Sequence, residues 1–390
     1  MGTEKLCRGL VLAGGGARGS YQVGVWRALD ELGWKAGVVT GTSVGCLNGA
    51  MYVLGQYETA RDMWLSIRSK DVMELPAPGS GLEGLGEAVR QFVAEGGVDV
   101  SPLEDIVRRV LDEKALRASP IRFGLVTVEQ RGLRPHQLTL EEIPQGRAAD
   151  YLLASAACFP AIQARDIDGV KYMDGGYADN MPAGLAARMG AAELVCVDLE
   201  WLGITRPNRT GLPTTLIRSH WELGDILRFD PAVARRNIEL GYYDTLRAFG
   251  RLRGDAYAIA LPGSAEAAAL FRARLDPLQE AVRWRWPAAH LSSAAALALA
   301  GLEDTPLAPL EAAAEEAGVD PARMYTVEEL GQAFLAQCDH QRLSAFDPLF
   351  DGSGSGSGAL AARAALLPHL YLQALVRRAL TGPYVPEVIT

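Results

Sequence analysis

The chain has 390 residues, 49% of them hydrophobic and 22% charged, with a formal net charge of −9. That length can hold one large α/β domain and a smaller one around a sizeable core. The charge is acidic in both halves and no basic tract appears, which excludes nucleic acid as a partner and argues against tight electrostatic docking on anionic membranes.

The N-terminus does not read as a signal peptide, because its apolar run is short and leads straight into glycines. Leu6 stands where a myristoylation site needs Ser or Thr. No stretch approaches the eighteen apolar residues of a membrane span. Leu10, Val11 and Leu12 predict a buried strand that stops at Gly14, Gly15 and Gly16. Val23, Trp26 and Leu29 follow at helical spacing, and Gly33 ends that helix. Val38 and Val39 predict a second strand, which runs into Gly41-Thr42-Ser43-Val44-Gly45. The next helix carries Val44, Leu47, Met51 and Leu54 on one side. Strand–helix–strand makes the two strands parallel neighbours, so both glycine turns leave the same edge of the sheet, where open α/β sheets bind ligands.

Residues 57–70 predict a helix. Residues 71–100 are rich in Gly and Pro around a short helix at Glu87–Ala94, and read either as a lid over the cleft or as a surface excursion. Ser101-Pro102-Leu103-Glu104 starts a helix with Ser101 as N-cap, running to about Glu113 with Leu103, Ile106, Val107 and Val110 inward. Strands follow at Ile121–Val128 and Leu133–Leu140, then a small-residue helix from Ala149 to Cys158, expected near the Ser43 turn and stopped by Pro160. Val170–Met173 delivers Asp174 to a turn at Gly175 and Gly176. Asp179 and Asn180 are expected to shape the next loop and cap the helix after Pro182. Val195–Val197 is a strand, 203–215 a loop, Asp225–Phe249 a helix and Tyr257–Leu261 the last strand. Beyond Pro262 only helices are expected: Glu266–Leu275, Leu278–Trp286, Leu291–Leu302, Thr326–Cys338 with a Thr326/Glu329 capping box, and Leu360–Leu380 after a Gly352–Gly358 linker. Trp284 and Trp286 read as core residues rather than an interfacial pair.

Gly41-x-Ser43-x-Gly45 between strand and helix matches a nucleophile elbow, with Ser43 lifted out of the sheet edge at a helix N-terminus. Gly14-Gly15-Gly16-Ala17-Arg18-Gly19 also fits the dinucleotide fingerprint, but no acidic residue ends the second strand to hold a ribose. The loop serves better as an oxyanion hole built from the N–H groups of Gly14, Gly15, Gly16 and Ala17. Arg18 reads either as a charge for an anionic head group or as a solvated helix-start arginine. Cys7, Cys46, Cys158, Cys196 and Cys338 are scattered, odd in number and without metal spacing, and read as reduced thiols consistent with cytosol. Neither a metal nor any other cofactor is expected.

With these residues assembled, the chain resembles the patatin-like phospholipases. That family is identified by a G-G-G-x-[RK]-G loop, a G-x-S-x-G elbow and a later D-G-[GA]. Here they are Gly14–Gly19, Gly41–Gly45 and Asp174-Gly175-Gly176, in that order. The resemblance covers roughly residues 6–200 and, more loosely, extends to about 262. It implies a three-layer α/β/α fold with a mostly parallel sheet in a 1–262 domain, followed by a helical 263–390 region. It implies Ser43 as nucleophile, Asp174 as its base, and a lipid ester substrate met transiently at a membrane or micelle surface by a cytoplasmic enzyme. Three rivals remain: a Ser-His-Asp α/β-hydrolase using one of His136, His220, His290, His340 or His369, a nucleotide-binding protein using Gly14–Gly19, and a catalytically silent scaffold.

Overall fold

The computed structural model describes residues 7–73, 100–159, 161–200, 203–285, 295–296, 305–351 and 357–382. Two compact units emerge, Met1–Ala248 and Phe249–Thr390. The lid-or-rim segment with its Glu87–Ala94 helix, Pro160, Trp286, nearly all of the Leu291–Leu302 helix and most of the Gly352–Gly358 linker lie outside the described residues.

The first unit is built on an eight-stranded sheet. Its strands are β1 (Arg8–Leu12), β2 (Val38–Thr42), β3 (Arg122–Glu129), β4 (Arg134–Thr139), β5 (Arg165–Ile167), β6 (Val170–Asp174), β7 (Glu193–Val197) and β8 (Thr214–Ile217). The order is β5-β6-β3-β2-β1-β7-β8, with β4 also paired to β3. From β8 to β3 the neighbours are parallel, while β4, β6 and β5 join antiparallel. Helices α1 (Ser20–Glu31), α2 (Val44–Val53), α3 (Tyr57–Ser66), α4 (Ser101–Val110), α5 (Glu113–Ala118), α6 (Ala148–Ser155), α7 (Ala183–Arg188) and α8 (Pro231–Ala248) complete the unit. Side chains alternate across the sheet. Val11, Val38, Leu194 and Cys196 form one face under Leu185 and Ala186 of α7 and Met189 just past its end. Leu12, Val39 and Phe123 lie on the other face, beneath α2 at Gly49. This is the expected three-layer α/β/α arrangement.

One register matters most. β3 is eight residues long, and its first part pairs with β2, ending at Thr42 opposite Val126. Its last three residues pair with β6, arriving antiparallel with Asp174 opposite Thr127. Two strands therefore meet tip to tip along β3, so Ser43, the residue after Thr42, and Asp174 are brought together.

The second unit holds α9 (Ser264–Arg285), α10 (Ala308–Glu316), α11 (Val327–Gln337), α12 (His340–Ser344), α13 (Asp347–Asp351), α14 (Ser357–Leu366) and α15 (Pro368–Thr381). It also carries a small sheet of β9 (Leu252–Arg253), β10 (Ala258–Ala260) and β11 (Met324–Tyr325). β11 overturns the expectation of no strand after Pro262, and the expected boundary at 262 lies inside this unit, where among the described residues β10 pairs with β9 and β11. The Thr326/Glu329 capping box forms as expected. Pro277 sits inside α9, which joins two expected helices. Pro368 instead starts α15 and splits the expected Leu360–Leu380 helix, the two arms bending by 110°. Trp284 is not a core residue, being 83% exposed. Among the described residues, no single helix is long and apolar enough to cross a membrane.

Candidate active site

The elbow is drawn tight by two close approaches. A Cβ at Gly41 would fall 2.4 Å from the Gly45 carbonyl oxygen, and one at Gly45 would fall 2.2 Å from that of Leu12. Only glycine fits either position. Between them Ser43 adopts φ 55° and ψ −130°, a conformation L-residues rarely take, directly at the start of α2. Its own N–H donates to Ser155 Oγ at 3.0 Å, and Ser155 Oγ donates to the Val126 carbonyl at 2.6 Å. Ser155 ends α6, so the small-residue helix does pack against the elbow as its composition suggested. Ser155 was not singled out from sequence; the one signal was a lone hydroxyl in an apolar, alanine-rich run.

Asp174 is 4% exposed. Its Oδ1 accepts the Gly176 N–H at 2.7 Å, and its own N–H donates to the Ala157 carbonyl at 2.8 Å. Burial pushes the carboxyl up to about 6, with hydrogen bonding from Ser43 and the Gly176 N–H pulling the other way. A Cβ at Gly175 would lie 2.2 Å from the Val126 oxygen and 2.9 Å from Thr42 Cγ2, so this turn and the elbow are packed directly on each other.

The glycine loop faces the same place. Gly15, Gly16, Ser43 and Asp174 all line one cleft, whose other walls are mainly apolar side chains. The four proposed oxyanion donors are not equivalent. Gly14 N–H donates to the Asn180 carbonyl and to Asn180 Oδ1, and Ala17 N–H donates to the Ile226 carbonyl at 2.7 Å. No hydrogen bond within the described residues engages the Gly15 and Gly16 N–H groups. Gly16 has φ +56° and its Cβ position lies 2.1 Å from the Ile226 oxygen, which makes glycine obligatory there. Asn180 does not cap α7, whose N-cap is Pro182. Fully buried, it clamps Gly14 through both ends of its amide.

Arg18 is not a merely solvated arginine. Its guanidinium donates to the carbonyls of Gly224, Leu199 and Glu200 at 2.8, 3.1 and 2.9 Å, and it does not line the cleft. It ties two loops to the glycine turn. Ser101 is the first residue of α4 rather than its N-cap, and α4 ends at Val110 because Asp112 caps α5. Leu103, Ile106, Val107 and Val110 do face inward, as one wall of the cleft. Among the described residues no histidine lines the cleft, and no group of three side chains could hold a metal ion. At the end of β2, where a dinucleotide site needs a carboxylate for the ribose, Thr42 and Ser43 stand instead.

Residues 10–187 match the family model described as patatin-like phospholipase. The human patatin-like phospholipase domain-containing protein 6 is 29% identical over 207 residues, covering 49% of this chain and 13% of that one. Lysophospholipase NTE1 of Mycosarcoma maydis is 27% identical over 206 residues, covering 52% and 10%. The chain thus spans a small fraction of these curated relatives' length. Among solved structures, VipD from Legionella pneumophila aligns over 97% of this chain and 93% of its own, at 15% identity and a TM-score of 0.42.

Proposed function

With residues 10–187 a patatin-like phospholipase domain, we propose that the protein hydrolyses acyl ester bonds of lipids, of phospholipase A or lysophospholipase type, through Ser43 and Asp174. The observation that carries this reading is the β3 register, which sets Thr42 and Asp174 at adjacent positions on one strand. Ser43 Oγ attacks the ester carbonyl carbon while Asp174 takes the hydroxyl proton. The N–H groups of Gly15 and Gly16 receive the oxyanion, and the N-terminus of α2 adds positive potential. Collapse of the tetrahedral intermediate expels the alcohol, which takes the proton from Asp174. A water deprotonated by Asp174 then attacks the acyl-enzyme, and collapse releases the fatty acid as Ser43 Oγ takes that proton back from Asp174. A carboxylate near its ordinary value would be a weak base; with its pKa raised to about 6, Asp174 is better matched to neutral pH while remaining ionised there. A cleft lined chiefly by Leu, Ile, Val and Met supports a lipid acyl group as the part that is bound. We place the enzyme in the cytoplasm, meeting its substrate transiently at a membrane or micelle surface.

The test is a hydrolysis panel of a diacyl phospholipid, a lysophospholipid and a neutral ester, with wild type beside Ser43→Ala. The expected result is cleavage of at least one lipid and a loss of about 10³-fold or more in Ser43→Ala. Equal rates in the two proteins would contradict it.

A further inference from the structure

The cleft is lined from one end of α2 to the other. Its wall there is Val44, Leu47 and Met51 of α2 and Leu54 at the helix C-cap, three or four residues apart and so on one face. The ten residues of α2 make that face about 15 Å long at 1.5 Å per residue. Ser43 stands at its N-terminal end. The opposing wall on α4 has the same spacing, and Leu47 packs into the apolar cluster that contains Val107. Just past the end of α2, Gln56 Nε2 donates to the Val110 carbonyl at 3.2 Å and ties the two walls together. A span of about 15 Å is half the roughly 30 Å hydrocarbon thickness of a bilayer, the depth of one leaflet.

Building on the acyl-hydrolase reading above, we propose that this face of α2 measures the acyl chain: a single chain of leaflet length lies along it, its ester carbon at Ser43 and its terminal methyl by Leu54. The enzyme therefore selects long-chain acyl esters. Leu47, Met51 and Leu54 stand about 6, 12 and 16 Å along the helix from Ser43. Each methylene that enters the channel should raise kcat/KM by up to about fourfold, the equivalent of its transfer from water, and methylenes beyond Leu54 should add nothing.

The experiment is a chain-length series of p-nitrophenyl esters from acetyl to stearoyl, with each kcat/KM divided by the same protein's value for the acetyl ester. Wild type is compared with Leu47→Trp, Met51→Trp and Leu54→Trp. The expected result is a plateau that begins at the shortest chain in Leu47→Trp, later in Met51→Trp and latest in Leu54→Trp. Leu54→Ala should move the wild-type plateau to longer chains, and it gives the same reading if a tryptophan is not accommodated. Identical profiles in all variants, or one shared cut-off, would overturn the ruler. A wild type that cleaves every length equally overturns the ruler and leaves the hydrolase standing; a wild type that cleaves none overturns both.

Discussion

Asp174 is buried with a carboxyl raised to about 6 by that burial, and the same fact sets both its proposed role as a base and its cost. A folded-state pKa above the unfolded value means that the folded protein prefers the protonated form. The charged carboxylate therefore carries its full penalty above about pH 6, and this penalty fades as pH falls from there to the ordinary value of 3.8. Asp174→Asn should accordingly abolish esterase activity yet raise stability by about 2–3 kcal/mol at pH 8, with the gap closing by pH 3.5. Urea denaturation at the two pH values measures it. In wild type, kcat/KM should rise with pH through about 6. Removing the Ser155 hydroxyl leaves the Ser43 N–H unpaired and should cost about 1–3 kcal/mol, read by the same denaturation. The turns that carry Ser43 and Asp174 were legible in the sequence, because Gly41 and Gly45 flank the one and Gly175 and Gly176 follow the other. The contacts of Arg18, Ser155 and Asn180 were not, because each reaches a partner more than a hundred residues away and several of those partners are backbone groups, which leave no mark in composition.

Among elements, β3 and α4 shape the cleft. α4 carries its apolar stripe inward, and its outer side is held by ion pairs. Arg165 bridges Glu104 and Asp150 at 2.5 and 2.7 Å, and Arg108 bridges the same two carboxylates at 2.8 Å each. Arg147 adds a contact to Asp150, whose side chain is only 8% exposed. Arg165, followed by Arg108, holds the Glu104 carboxyl down at about 2. That contribution is fully present above the ordinary 4.5 and is lost as pH falls towards 2, opposite in sign to Asp174. Asp150→Ala leaves three arginines without their shared partner and should lower stability by about 3 kcal/mol, measured by denaturant melts at pH 7. Long apolar strands such as β1, β2 and β3 could be read from sequence. β5, β9 and β11 could not, since two or three residues carry no period. Both internal prolines ran against expectation: the helix expected to break at Pro277 continues through it in α9, and the one expected to continue through Pro368 breaks there.

At the scale of the molecule, the chain divides after Ala248, and every described residue that lines the cleft belongs to the first unit. A protein ending at residue 248 should fold and cleave short-chain esters; an unfolded or inactive product would show that the second unit is needed. The helical character of the second unit was legible, but its start was not, because β10 looks in sequence like one more strand of the large sheet. The most direct test of the account is labelling with a fluorophosphonate followed by peptide mass mapping. A single adduct on Ser43 of the wild type, lost in Asp174→Asn, is the expected result. An adduct on another residue, or equal labelling of Ser43 without the carboxylate, would contradict it.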